Sequence, residues 1–411
     1  SASSGGKHDF ARYAFTTIDG GTARSMGNLM NDVNGTTYAA QGLRGASMMK
    51  GIFSAGAFVW SVDSFKPPVN TRPSDGSKII HDVPLQAWDD AGVVGYVVML
   101  GSRAGTNAQM RGYQPIVYKT TTSGASWSLL PANDFADPNF FRSLYDRLYP
   151  INTNSTVICA NFRGTEGFDI AVDCNGQLNI ASMVYGHYSN HLDSLDYRYT
   201  YGTEQYSYAE TGPFEYPVIY NFFTKSIGGW GYFIVDSMGT EGPSGTSGQP
   251  GYGANQWSDG SGAKMDQDAR IQMSRTDDGT KLFYSWSESD TSFLSDKWNS
   301  YPDIKLRGKD VTANKYTPRF NITLGSDQAQ GAYYHYMSNK VAGSSTACVT
   351  VPFTVTKNST LNGGINVDTY YIDSIQVCAS SFSINTLEMF CTSIISENND
   401  ANFEVRNFPN P

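Results

Sequence analysis

Four stretches decide the fold: Gly176-Gln-Leu-Asn-Ile-Ala-Ser-Met183, Gly231-Tyr-Phe-Ile-Val-Asp-Ser-Met238, Gly279-Thr-Lys-Leu-Phe-Tyr-Ser-Trp286 and Gly331-Ala-Tyr-Tyr-His-Tyr-Met-Ser338. Each starts at a turn-forming Gly, continues through aromatic and branched β-formers, and ends in small polar residues. Ile180, Phe233, Phe283 and Tyr334 fall at spacings of 53, 50 and 51. A recurrence near fifty is the length of one four-stranded propeller blade, roughly 40–50 residues. Ala57–Ser61 and Gly95–Met99 share the strand pattern but not the spacing. The expectation is an all-β chain: a β-propeller of about seven blades, each a four-stranded antiparallel sheet.

Composition agrees. The 411 residues include 26 Tyr, 22 Phe, 7 Trp and 41 Gly, with only 16% charged positions. Helical bundles are built on Ala, Glu, Lys and Leu, and disordered chains lack aromatics, so both classes are excluded. The longest apolar run, Val93–Leu100, is far short of the ~18 residues that span a bilayer. A net charge of -9, without a Lys/Arg cluster, removes nucleic acid as a partner. One helix is predicted over Asp137–Pro150, capped by Asp137, opened by Pro138 and ended by Pro150. Gly239–Ala263, with eight glycines and two prolines, reads as a long loop, and Ser396–Ala401 as a polar linker. The domain expectation is a tail over 1–7, a propeller over 8–395, and a linker with a further short element over 396–411.

Five cysteines are too few and too scattered for a disulfide scaffold, and none forms a C-x-x-C pair. Cys159 with Cys174, across a strand–turn–strand, and Cys378 with Cys391 are two open pairings; an odd cysteine is left either way. The chain opens at Ser1-Ala-Ser-Ser without Met, which fits a mature end after removal of a signal peptide or an expression scar.

The final stretch, Phe403-Glu-Val-Arg-Asn-Phe-Pro-Asn-Pro411, resembles the opening of the C-terminal sorting domain of the Bacteroidetes type IX secretion system. Asn407, Phe408, Pro409, Asn410 and Pro411 match its Asn-aromatic-Pro-Asn-Pro element position by position, over nine residues of the chain. The resemblance implies passage through the periplasm, a secretion translocon and outer-membrane shuttle as partners, and an extracellular or cell-surface location. Asp193-Ser194-Leu195, Asp236-Ser237-Met238 and Asp373-Ser374-Ile375 look like the short Bacteroidetes O-glycosylation pattern, or ordinary turns.

Thr120-Thr-Thr-Ser-Gly-Ala-Ser-Trp127 resembles the Asp-box (BNR repeat) hairpin of sialidase-type propellers, with Thr120 first, Thr122 in place of the Asp, then Gly124 and Trp127. Arg275-Thr-Asp-Asp-Gly279 keeps Asp277 and Gly279 without the Trp, as Thr17-Ile-Asp-Gly-Gly21 keeps its Asp and Gly; Asp173-Cys-Asn-Gly176 is a looser relative. In that family the box is structural, so it bears on fold and hardly on catalysis. The sialidase Phe/Tyr-Arg-Ile-Pro element is absent; Asn161-Phe-Arg-Gly-Thr-Glu166 is the nearest string. Glu166, Glu204, Glu215 and Asp290 are unranked carboxylate candidates for a glycosidase.

His187-x3-His191 with Asp193 two residues on is a weak metal candidate, and Asp-rich turns offer oxygen ligands for calcium. Tyr197–Tyr208 alternates Tyr with polar residues, which puts one Tyr row, including Tyr201, on a single strand face. That row is either a half-buried strand or, with Tyr252 and Trp257, a platform for sugar rings or a partner protein. The favoured function is non-catalytic glycan or protein binding outside the cell. An extracellular glycoside hydrolase is the alternative, and a cargo or structural protein of surface adhesion or gliding a third.

Overall fold

The computed structural model describes residues 7–8, 13–18, 21–30, 42–107, 110–137, 139–141, 159–162, 168–187, 190–195, 218–237, 256–258, 264–266, 270–289, 302–326, 329, 332, 334–358, 367–372 and 375–385. The chain divides into two compact units, Ser1–Gly164 with Val184–Thr200, and Thr165–Met183 with Tyr201–Pro411. Among the described residues every sheet is antiparallel and there is no α-helix, so the all-β expectation is borne out. Four of the seven sheets among the described residues have four or five strands joined largely as meanders, the unit from which propeller blades are made.

In the first unit, β1 (Lys7–His8), β2 (Tyr13–Ile18), β3 (Thr22–Met30), β4 (Leu43–Ser54) and β5 (Ala57–Phe65) form one sheet, in the order β1-β3-β4-β5 with β2 also on β3. β6 (Leu85–Trp88), β7 (Gly95–Gly101), β8 (Gln114–Thr120) and β9 (Ser128–Leu129) form the next. β7 is buried throughout, a near-continuous apolar run suited to a strand covered on both faces. Met26, Ala46, Met48 and Phe65 of the first sheet pack on Trp88, Val97 and Met99 of the second. Fully burying a Met, Phe or Val side chain in such a core contributes about 1.5–3 kcal/mol.

Next come β10 (Cys159–Phe162), β11 (Phe168–Val172), β12 (Leu178–His187), β13 (Val218–Thr224) and β14 (Trp230–Ser237). The C-terminal half of β12 pairs with β10, and its N-terminal half with β11 and β13. A two-stranded ribbon, β15 (Gln256–Ser258) and β16 (Lys264–Asp266), lies partly inside the stretch expected to be a loop, with Trp257 opposite Met265. β17 (Gln272–Arg275), β18 (Lys281–Ser289), β19 (Pro302–Asp310), β20 (Lys315–Tyr316) and β21 (Phe320–Asn321) make the following sheet.

β22 (Tyr334–Met337), β23 (Ala342–Gly343), β24 (Cys348–Thr350), β25 (Phe353–Asn358), β26 (Val367–Ile372) and β27 (Gln376–Cys378) make two three-stranded sheets. Phe283, Ile304 and Leu306 bury against Val349, Val351, Phe353, Val355, Ile372 and Val377.

The fifty-residue spacing has a different meaning from a blade repeat. Ile180 on β12 and Phe233 on β14 belong to the same sheet, while Phe283 on β18 belongs to the next. Both expected cysteine pairings are corrected: Cys348 is bonded to Cys378, directly across the β24–β27 ladder, and Cys174 is free and exposed. Of the predicted helix, residues 142–150 and Pro138 lie outside the described residues. Its first turn is present: the Asp137 carboxylate accepts the N–H of Asn139 at 2.8 Å, and the Asp137 carbonyl accepts that of Phe141 at 2.8 Å.

Candidate functional site

The largest exposed apolar feature among the described residues is the β4–β5 hairpin. Its loop is two residues long, Ala55 and Gly56, with φ of 51° and 85°. Two successive positive φ values are the signature of a type I′ turn, whose twist matches that of the strands it joins. The register runs unbroken from Ser54 opposite Ala57 to Ala46 opposite Phe65.

Because directly opposed residues share a face, Met49/Val62, Gly51/Trp60 and Phe53/Phe58 form one row. Phe53 and Trp60 are each 51% exposed, Phe58 44% and Val62 47%. Ring centroids are 5.3 Å apart for Phe53–Phe58 and 5.4 Å for Phe58–Trp60. Glycine 51 makes the row possible: a Cβ there would sit 2.8 Å from the Trp60 ring, so the indole lies on bare backbone. Phe53 is pinned at the other edge, its N–H donating to the Gly21 carbonyl at 2.7 Å. The opposite face of the tip carries Ile52 and Val59, also exposed, and the same face further down joins the core through Met48 and Phe65. A row of fixed, half-exposed rings offers flat apolar area to a planar or ring-shaped ligand at little entropy cost.

Tyr201 and Tyr252 lie outside the described residues; for Trp257 only the β15 backbone is described. Asn407 to Pro411, Arg163, Glu166, Glu204, Glu215 and Asp290 also lie outside them. Phe53, Phe58 and Trp60 were missed. The readable signal was the uncharged tip Ile52-Phe-Ser-Ala-Gly-Ala-Phe-Val-Trp60, aromatic on both sides of a small-residue turn.

The Thr120–Trp127 hairpin is a support, not a site. Thr120 Oγ1 accepts the N–H groups of Thr122 and Gly124, both at 3.1 Å, and Thr122 Oγ1 accepts that of Ser126 at 3.0 Å. Two hydroxyls thus divide the work that one carboxylate would do. Trp127 packs edge-on against Phe65 and Trp88, and Arg24 stacks on Trp88 at 3.7 Å while donating to the Ser123 carbonyl. Burial pulls the Arg24 guanidinium down to about 10, partly offset by the charge of Asp63.

In the Arg275–Gly279 turn the expected role of Asp277 passes to its neighbour. Asp278 accepts from the Thr276 hydroxyl, the Thr280 N–H and hydroxyl, and Ser345, at 2.6–3.0 Å, which holds its carboxyl well below the usual range despite burial. Asp277 instead pairs with Lys340 at 3.2 Å in solvent, because side chains alternate around the turn. Gly279 takes φ 68° and packs on Cys174. The related Asp173 accepts the N–H groups of Asn175 and Gln177.

Among the described residues there is no group of three His, Cys, Asp or Glu side chains placed to hold a metal ion. The Asp193 carboxylate accepts the Ser74 N–H and hydroxyl at 3.1 and 2.7 Å, and stands 3.9 Å from exposed His191. His187 is in β12 opposite Cys159.

The second unit holds a buried charged row. Asp303, Lys305, Arg307 and Lys309 alternate along one face of β19, with Ile304 and Leu306 on the apolar side. Glu288 and Asp303 oppose each other across the β18–β19 ladder, the only paired carboxylates on directly opposed strand positions among the described residues. Both are occupied: Arg319 reaches Glu288 at 3.1 Å, Asn321 and Thr323 donate to the two Asp303 oxygens at 2.8 and 2.9 Å, and Lys305 stands 3.9 Å away. Arg307 pairs with Asp236 at 2.8 Å. Lys309 sits 3.7 Å over the Phe233 ring and donates to the Tyr316 hydroxyl at 2.7 Å; burial draws its ammonium down to about 8. Asn179 donates to Asp173, Asn221 to Asn179 and Tyr284 to Asn221, extending the same layer. These contacts orient the strands and occupy the Glu288 and Asp303 carboxylates.

No family model matches this chain, and no curated protein matches it. Solved structures are similar to it at low level. An exo-β-1,3-galactanase from Phanerochaete chrysosporium aligns at 9% identity over 88% of this chain and 60% of its own, with a TM-score of 0.34. A thermostable family-43 glycoside hydrolase aligns at 8% over 95% and 96%, TM-score 0.32. An ulvan lyase aligns at 8% over 90% and 70%, TM-score 0.38. The chain thus spans about 60% of the galactanase's length. At TM-scores this low the likeness carries nothing about substrate or activity. No helix among the described residues is long and apolar enough to cross a membrane.

Proposed function

We propose that this chain is a non-catalytic carbohydrate-binding protein that works outside the cell, and that the β4–β5 hairpin is its sugar-stacking surface. The observation that carries the reading is the ring row Phe53–Phe58–Trp60, rigid, half exposed and seated on Gly51. Sugar rings present an apolar C–H face, and stacking on aromatic faces is how such a surface recognises them without a deep pocket. Export by a type IX route is supported by the Asn407–Pro411 match. Among the described residues a hydrolase reading would rest on Glu288 and Asp303, which already accept from Arg319, Asn321 and Thr323.

Affinity electrophoresis against a panel of soluble polysaccharides tests the reading. At least one should retard the protein, and Phe53→Ala with Phe58→Ala should weaken that binding about tenfold, the equivalent of about 1.4 kcal/mol. A panel with no retardation, or one on which the double variant binds like the parent, would overturn it.

A further inference from the structure

β5 is the last strand of its sheet, and among the described residues nothing pairs with its outer edge from Ala57 to Ser64. Unprotected edges are rare because a row of free N–H and C=O groups recruits another strand. The usual protections are absent here. There is no proline between Ala57 and Phe65, the ladder to β4 has no bulge, and both faces carry exposed apolar side chains. The strand's one charge, Asp63, is half-buried, and its field acts on Arg24 inside the unit. On a chain of net charge -9, a strip with a single half-buried charge lets two copies meet with little repulsion.

We infer that β5 pairs antiparallel with β5 of a second copy of this chain, joining two five-stranded sheets through a two-fold axis at Trp60. A two-fold axis normal to the sheet keeps each face on its own side, so the register must centre on a residue. Centred on Trp60, the indoles of the two copies face each other, and Phe58 lies opposite the second copy's Val62. Val59 then meets Ser61, and Ala57 meets Asp63. Aromatic and branched residues are the pairs that stabilise sheets. Centring on Ser61 would set Val59 against Asp63 twice, and centring on Val62 would bring Phe58 to Lys66. The two-fold axis uses the same edge of both copies, so the association closes at two. The contact also places the two Phe58–Trp60 rows side by side, doubling the sugar-stacking surface, although the dimer stands without that reading.

Sedimentation velocity on the full chain over a concentration series is the test. The parent should sediment as twice 44.9 kDa at the upper concentrations. Trp60→Lys and Trp60→Glu should each sediment as monomers, and an equal mixture of the two should restore a heterodimer, because opposite charges then face each other across the axis. Circular dichroism and melting temperature matching the parent confirm that the variants fold. Phe53→Ala, off the edge, should weaken sugar binding and leave the dimer intact, which separates this inference from the function above. A parent that is monomeric throughout, a Trp60→Lys dimer as tight as the parent's, or a mixture that stays monomeric would each overturn it.

Discussion

The indole of Trp60 rests on the backbone of Gly51, its partner across the β4–β5 ladder, in the space where any other residue would put a Cβ 2.8 Å from the ring. Gly51→Ala should therefore tilt the indole away from β4 and break its contact with Phe58. Aromatic pairs contribute about 0.5–1.5 kcal/mol beyond their buried area, so carbohydrate affinity should drop by a comparable amount. Isothermal titration with the best-retarded polysaccharide reads this directly. Unchanged affinity would show that the Trp60 pose is irrelevant to binding.

Ala55 adopts φ 51° in the type I′ turn, where an alanine Cβ crowds the neighbouring carbonyl. Left-handed backbone costs a non-glycine residue about 1–2 kcal/mol, and Asn tolerates it better. Ala55→Asn should raise the unfolding free energy by about 0.5–1 kcal/mol, read as a higher urea midpoint with no change in slope. A lower midpoint would mean that the turn is of another type in solution.

The strands themselves were legible. Ala57–Ser61 and Gly95–Met99 stand out as β-formers and lie in β5 and β7. Exposure was not legible, because apolar residues at successive positions read the same on a bare hairpin tip as in a strand buried on both faces. What packs on the strand faces distinguishes Trp60 from Tyr96: both faces of the hairpin tip are exposed, whereas β7 is buried on both. The repeat misled for a related reason: β12 and β14 are alternate strands of one meander, so Ile180 and Phe233 share a pattern without sharing a blade position. The buried row on β19 was hidden because alternating Asp303, Lys305, Arg307 and Lys309 look like a solvent face. It takes Asp236 and Phe233, distant in sequence, to cover Arg307 and Lys309.

Cys348 and Cys378 are likewise brought together by ladder register across 30 residues rather than by a local turn. Closing a loop of that size stabilises by about 3.6 kcal/mol. Denaturant unfolding with and without reductant should differ by that order, and Cys348→Ser with Cys378→Ser should lose the difference. Cys174, exposed and free, should react with a maleimide in the folded oxidised protein. Failure of Cys174 to label, or a reductant-insensitive midpoint, would contradict the pairing.

His335 is wholly buried, with Nε2 3.1 Å from the Ser285 hydroxyl and the charged Arg270 near; burial first, then that charge, pushes its imidazole down to about 3. The unfolded chain then binds a proton near pH 6.5 that the folded chain refuses, so this residue makes stability fall as pH drops from about 6.5 toward 3. Asp169 acts in the opposite sense. Burial lifts its carboxyl to about 6, so the folded state takes up its proton first and gains stability as pH falls from about 6 toward the normal carboxylate range. The larger displacement belongs to His335, so the net slope in the described pair favours unfolding in acid. Urea midpoints measured between neutral pH and pH 4 should fall for the parent, fall more steeply for Asp169→Asn, and flatten for His335→Gln. A parent slope that His335→Gln leaves untouched would assign the acid sensitivity to other groups.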